Sequence, residues 1–256
     1  MPATGTYGKR SRLRTENETT GTRLVSPTYG RPRIRTLGTK SGDILIESQT
    51  ERLVAHMLSI DPRVVRFRPQ PFTVDLNGQR LLTRPAQVKE VLAQYERTHG
   101  PRIYTPDFCV DLSDAKQVAL EVKTDTFPGD ERYAVRLARA GAVLSQYNYV
   151  LVKVVLRHSL SGPLKQNLQL LQQAKRLQGA LPLPTATLEL LHQLEGLDLT
   201  LGDVCRHLNL PLNFAPTLVL AGAMSFDLST CPFHALTPVR LAYGELEHLQ
   251  LLGRLA

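Results

Sequence analysis

Two short stretches, Thr105-Pro106-Asp107-Phe108-Cys109-Val110-Asp111-Leu112 and Ala119-Leu120-Glu121-Val122-Lys123, carry carboxylates and an ammonium that could act together. In an extended strand successive side chains alternate between faces, so Phe108, Val110 and Leu112 share one face and Asp107, Cys109 and Asp111 the other. The same alternation separates Leu120 and Val122 from Glu121 and Lys123. If the strands pair as a hairpin through Ser113-Asp114-Ala115-Lys116, then Asp107, Glu121 and Lys123 converge. Two hard oxygen donors held close suit Mg2+, with Mn2+ able to substitute. A bound ion of this kind polarises a phosphodiester and acidifies a water that attacks phosphorus. A lysine beside it orients or deprotonates that water, or offsets charge building on the phosphate. The same side chains also fit the plainer description of a solvated hairpin face.

Glu51 is a fourth candidate for catalysis and metal binding. It lies three and seven residues before Val54 and Leu58, which turns it toward the apolar side of its helix. A carboxylate there needs a partner, and a metal would serve. Ser48-Gln49-Thr50-Glu51 is also a capping box, in which Glu51 would bond the Ser48 backbone amide, so ligand and cap both remain open.

The elements that must position these groups follow from periodicity. A short strand leads into a helix from about Ser48 to Ile60, stopped by Asp61-Pro62. Residues 64 to 76 alternate as a strand disturbed by Pro69 and Pro71, and Asn77-Gly78 marks a turn. Val88, Val91, Leu92 and Tyr95 predict a helix over 86 to 98, and strands are expected at 103 to 112 and 117 to 125. A helix from about Asp130 to Gln146 precedes a continuous apolar run, 148 to 157, suited to a buried strand. The fold class expected is α/β, a mixed sheet flanked by helices.

After a helix at 164 to 178, Leu181-Pro182-Leu183-Pro184 reads as a domain boundary. Helices near 185 to 195, 200 to 208 and 215 to 223, then short strands near 224 to 227 and 239 to 241, give the pattern of a winged helix. Three parts are expected: an arm at 1 to 40, a catalytic domain at 41 to 162, and a linker helix with the winged-helix-like domain at 163 to 256.

Charge is uneven across these parts. Residues 1 to 40 hold Lys9, Arg10, Arg12, Arg14, Arg23, Arg31, Arg33, Arg35 and Lys40 against Glu16 and Glu18, a net of +7 out of the chain's +8. Such an arm suits an anionic polymer, where affinity comes from counterion release, so Lys9, Arg10, Arg12, Arg14, Arg31, Arg33, Arg35 and Lys40 are the expected DNA contacts. The last part carries net −1, and the helix Asn213-Phe214-Ala215-Pro216-Thr217-Leu218-Val219-Leu220-Ala221-Gly222-Ala223-Met224 has no basic residue. Its Phe214, Leu218 and Val219 suit a protein partner better than a DNA groove, with core packing as the alternative. Leu201, Val204, Cys205 and Leu208 repeat at helical spacing as core. Three cysteines without CxxC spacing fit a reducing compartment, and no apolar run is long enough for a membrane span or signal, so a cytoplasmic location is expected.

The ordered set of Glu51, Pro106-Asp107 and Glu121-Val122-Lys123 resembles the PD-(D/E)xK nuclease superfamily, to which many restriction enzymes belong. Glu51-Arg52, Asp61-Pro62, Gln70-Pro71 and Tyr104-Thr105-Pro106-Asp107-Phe108 resemble more specifically the TnsA family, the endonuclease subunits of heteromeric transposases, over about residues 41 to 160. The resemblance implies a restriction-endonuclease-like core, metal ligation by Glu51, Asp107 and Glu121, and assistance to hydrolysis by Lys123. It also implies a cut of the 5′ strand at transposon ends in double-stranded DNA. A DDE-type transposase subunit and an AAA+ ATPase regulator are the partners implied. The helix at 86 to 98 lengthens the approach to Asp107, and Glu121 stands where some members of the family have glutamine. A free-standing restriction or junction-cleaving nuclease and a non-catalytic DNA-binding adaptor are the competing readings.

Overall fold

The computed structural model describes residues 35–39, 42–46, 48–97, 99–157, 162–178, 184–253 and 255. Of the expected DNA contacts, Lys9, Arg10, Arg12, Arg14, Arg31, Arg33 and Lys40 lie outside these residues. Arg35 opens a strand, β1 (Arg35–Thr39), that pairs antiparallel with β2 (Gly42–Ile46). The last part of the expected arm, Arg35–Thr39, is thus a paired strand.

Helix α1 (Gln49–Ile60) begins where the Ser48 hydroxyl accepts the Glu51 amide, 3.0 Å away, and ends at Asp61 before Pro62. It buries an unbroken run from Val54 to Ile60. The strand expected over 64 to 76 is two strands in two sheets, β3 (Val64–Pro69) and β4 (Thr73–Asp75). Gln70 between them has φ of 45°, a left-handed conformation flanked by two prolines that cannot continue a ladder. Likewise the strand expected over 103 to 112 divides into β6 (Ile103–Tyr104) and β7 (Phe108–Leu112), because Pro106 offers no backbone donor. Strand β5 (Arg80–Leu82) joins β4 and β6 in a small sheet of order β5-β4-β6. Its β4–β5 turn is held by the fully buried Asp75, which accepts from the amides of Asn77 and Gly78 and from Arg80. Helix α2 (Pro85–Gln94) stops short of the expected end at 98.

The main sheet has the order β3-β7-β8-β9, with β8 (Gln117–Thr124) and β9 (Tyr149–Leu156) added to β3 and β7. β3, β7 and β8 are antiparallel; β9 lies parallel to β8 after the crossover helix α3 (Glu131–Gln146). The sheet is therefore mixed, and it is flanked by helices. Phe108, Val110, Val118, Leu120 and Val122 point to one face, in a core shared with Val54 and Leu58 of α1 and with Leu164, Leu168 and Leu171 of α4 (Pro163–Gln178). Cys109 and Ala119 point to the other, against Ala140, Val143 and Leu144 of α3. The alternation read from the sequence therefore holds in both strands. β9 is an edge strand rather than a buried one, and Val150 and Val155 are each 46% exposed, because no strand among the described residues lies beyond it.

Beyond residues 179 to 183, which lie outside the described residues, α5 (Thr185–His192), α6 (Leu201–His207) and α7 (Ala215–Leu220) accompany a small sheet of order β10-β12-β11. Its strands are β10 (Leu199–Thr200), which the periodicity did not predict, β11 (Met224–Ser225) and β12 (Pro238–Leu241). The Leu181-Pro182-Leu183-Pro184 boundary falls outside the described residues except for Pro184.

Leu201, Val204 and Cys205 are core, as expected. The apolar face of α7 is not a surface for a partner: Leu218 and Val219 are buried against the rest of the chain, and α7 packs on α4. α4 also packs on α1, so one continuous core runs from the main sheet to the C-terminal helices. The buried Asn167 of α4 fixes the C-terminal segment by donating to the carbonyls of Leu228 and Cys231 and accepting from the Phe233 amide. Among the described residues no helix is long and apolar enough to cross a membrane.

Candidate active site

Asp107 immediately precedes β7, and Glu121 and Lys123 stand two apart on β8. The β7–β8 register sets Phe108 opposite Leu120, so Asp107 comes beside the stretch that holds Glu121. The Asp107 backbone is fixed on its outer side by the Gln70 amide, which donates to the Asp107 carbonyl at 3.1 Å. The break at Gln70-Pro71 that splits β3 from β4 thus also anchors the start of β7. The Asp107 side chain is fixed from within: its Oδ2 accepts the Val122 amide at 2.8 Å.

Glu121 is 4% exposed and surrounded by donors. The hydroxyl of the buried Tyr104, on β6, donates to Oε2 at 2.8 Å. The hydroxyl of Tyr133, in the first turn of α3, donates to Oε1 at 2.6 Å, and Lys123 Nζ reaches the same oxygen at 2.8 Å. A carboxylate offers about four acceptor positions, so three donors leave one. The small sheet and the crossover helix, both outside the strand pair, each supply one hydroxyl that orients this carboxylate.

Asp107 has its carboxyl raised to about 7, first by burial, then by the charge of Glu121, with Glu51 adding to it; the Val122 amide and Lys123 act in the opposite sense. Both tyrosines are held well above the ordinary phenol range, first by burial and then by Glu121. They therefore stay protonated and act as donors.

Glu51 sits at the N-terminus of α1, near enough for its charge to act on Asp107. Its Oε1 accepts the Ser48 hydroxyl at 2.9 Å, while that hydroxyl accepts the Glu51 amide. Ser48 therefore caps the helix, and the Glu51 carboxylate accepts from the Ser48 side chain. Asp107, Glu121 and Lys123 are brought together; Glu51 stands at the edge of the group.

The donor set fits a hard divalent cation. It is all oxygen, and the like charges that disfavour ionisation of Asp107 are what such an ion would offset. Among the described residues no three His, Cys, Asp or Glu side chains already stand close enough to enclose an ion. Asp107 and Glu121 would hold it from one side, and phosphate and water oxygens would complete the sphere.

Tyr133, Arg136 and Lys153 were not singled out from the sequence, and Tyr104 entered only as part of the motif before Asp107, without a role at the site. Lys153 carried the clearest signal, as the one charge inside the apolar run Tyr149-Val150-Leu151-Val152-Lys153-Val154-Val155-Leu156. The register places it beside Glu121. Tyr133 carried none, since its role depends on where the crossover helix begins.

No protein-family model matches the chain, and no curated protein matches it.

Proposed function

We propose that this chain is a metal-dependent DNA endonuclease, and more specifically the subunit of a heteromeric transposase that cuts the 5′ strand at transposon ends. The observation that carries the reading is the meeting of Asp107, Glu121 and Lys123 at one end of β7 and β8, with Glu121 oriented by two tyrosine hydroxyls. The chain order of a helix, antiparallel strands, a crossover helix and a parallel strand supports a restriction-endonuclease-like core. α5 to α7 with the small β10-β12-β11 sheet support a winged-helix-like C-terminal domain, although the burial of α7 removes that helix from groove reading.

When bound, Mg2+ or Mn2+ would supply a polarised phosphodiester and an acidified water. Asp107 and Glu121 would hold it. Tyr104 and Tyr133 keep Glu121 in one orientation, so little reorganisation accompanies binding. Lys123, paired to Glu121 and 28% exposed, can turn its ammonium toward an incoming phosphate and offset the charge that builds there. The basic arm would hold the duplex, and the DDE-type transposase and AAA+ ATPase would be its partners in the bacterial cytoplasm.

The test is strand cleavage by the chain assembled with those partners in Mg2+. Asp107→Ala should abolish the 5′-strand cut while leaving assembly intact, and full cutting by that variant would remove the assignment. Robust cutting by the chain alone would favour a free-standing nuclease.

A second reading, a non-catalytic DNA-binding adaptor, is favoured by one observation. Both oxygens of Glu121 and one of Glu51 already have hydrogen-bond donors, as in a structural ion-pair network. Absence of Asp107-dependent Mn2+ binding would support it.

A further inference from the structure

The Tyr133 ring has three cations around it. Lys123 Nζ lies 4.8 Å, Arg136 Cζ 5.2 Å and Lys153 Nζ 5.6 Å from its centroid. Contacts of this kind attract each cation to the ring face but do nothing to offset their mutual repulsion. Glu121 is paired with Lys123, while Asp107 acts on the ring only through its charge and Asp130 is engaged by the Tyr133 amide. Among the described residues neither Arg136 nor Lys153 pairs with a carboxylate. Lys153 donates to the Pro128 carbonyl at 2.6 Å, and the Arg136 Nε is buried without a hydrogen-bond partner.

This is an unusual way to leave an arginine. A guanidinium on a solvated helix face keeps its nitrogens in water, whereas a shielded Nε needs an acceptor from elsewhere. The arrangement is also built. Gly129, with φ of 95°, leaves the space that the Tyr133 ring fills, and a Cβ there would overlap the ring. Lys153 is fixed by its register beside Glu121, and α3 carries Tyr133 and Arg136 one turn apart.

We propose that Arg136 and Lys153, gathered on the Tyr133 ring, form a cradle for a backbone phosphate of the DNA strand beside the carboxylates. The proposal rests on the nuclease reading and adds to it the residues that hold the strand at the site, apart from the basic arm. The ring keeps two cations together before the strand arrives. The incoming phosphate supplies the negative charge with which, among the described residues, neither Arg136 nor Lys153 is paired. Bound there, the strand runs past Glu121, and the neighbouring phosphodiester comes to Lys123.

The experiment is binding of a fluorescent duplex to the full chain in EDTA, so that no metal contributes, over a series of KCl concentrations. Each phosphate contact contributes about 0.9 to the slope of log affinity against log salt. Arg136→Gln and Lys153→Gln should each weaken binding and lower that slope, by about 0.9 for the two together, while Arg136→Lys and Lys153→Arg keep it. Lys153 is exposed, so its variants test the proposal even if Arg136→Gln fails to fold. An unchanged slope in Lys153→Gln overturns the cradle, as does failure of the wild-type chain to bind the duplex. Mn2+ calorimetry on the same proteins separates the two ideas. An unchanged slope with Asp107-dependent Mn2+ binding removes the cradle alone, whereas a lowered slope without such binding keeps the cradle and removes the nuclease reading.

Discussion

Replacing Tyr104 by phenylalanine isolates one contact of the site. The ring is 3% exposed and packs with Phe72, Val74 and Leu76, so phenylalanine fills the same space. Only the hydroxyl that donates to Glu121 Oε2 at 2.8 Å is lost. A hydrogen bond to a charged group contributes about 1.5–3 kcal/mol, and a buried carboxylate left short of a donor keeps its full desolvation cost. Global stability should fall by about that amount, read as an earlier midpoint in urea. The effect on metal is the sharper readout. Groups that orient a ligand typically change affinity by about 10–100-fold, so Mn2+ binding by calorimetry should weaken roughly tenfold. Loss of stability with unchanged Mn2+ affinity would make Tyr104 a packing residue and refute the reasoning that Glu121 must be held in one orientation.

Tyr133→Phe removes the second hydroxyl from Glu121 but keeps the ring under its cations, so it should weaken Mn2+ binding while leaving the salt dependence of DNA binding unchanged. Gly129→Ala places a Cβ against the Tyr133 ring at a φ of 95° and should cost about 1–2 kcal/mol by denaturant melt. Ser48→Ala removes the helix cap and should cost about 1 kcal/mol with little effect on Mn2+ affinity; Glu51→Gln should weaken Mn2+ binding only if Glu51 ligates, which calorimetry on both variants decides. The buried His56 has its pKa lowered to about 4, first by burial and then by Arg52 and Arg176. It is neutral in the fold while the unfolded chain takes up a proton below about 6.5. Its contribution to stability is thus present above pH 6.5 and lost as pH falls toward 4, by at most about 3 kcal/mol. Urea melts of His56→Leu should show a flatter dependence across that window than wild type.

The strands that carry the candidate site were legible because their signal is local. Alternation in Phe108-Cys109-Val110-Asp111-Leu112 and in Leu120-Glu121-Val122-Lys123 separates the two faces whatever lies around them, and both faces are covered as expected. Helix limits marked by Ser48, Asp61-Pro62 and Asp130 were equally readable, since caps and prolines act within a few residues. What failed depends on distant parts. β9 was expected to be buried from its apolar run, but burial depends on strand order, and here it is at an edge. The apolar face of α7 is the same for a partner surface and for a core, and only the packing of α4 against it decides. The two prolines around Gln70 announced a break but not that the chain passes into a second sheet there. Tyr104 and Tyr133 acquire meaning from pairing at a separation that no local pattern encodes.

The claim at the centre of this account is that Asp107 and Glu121 form a metal site rather than a structural network. Calorimetric titration of the wild-type chain with Mn2+, beside Asp107→Asn and Glu121→Gln, tests it most directly, since each variant keeps the shape of the side chain and removes its charge. Binding by wild type that is lost in both variants, with folding retained, is the expected result. No Mn2+ binding by the wild-type chain in the presence of duplex DNA, or binding that survives both substitutions, would contradict it.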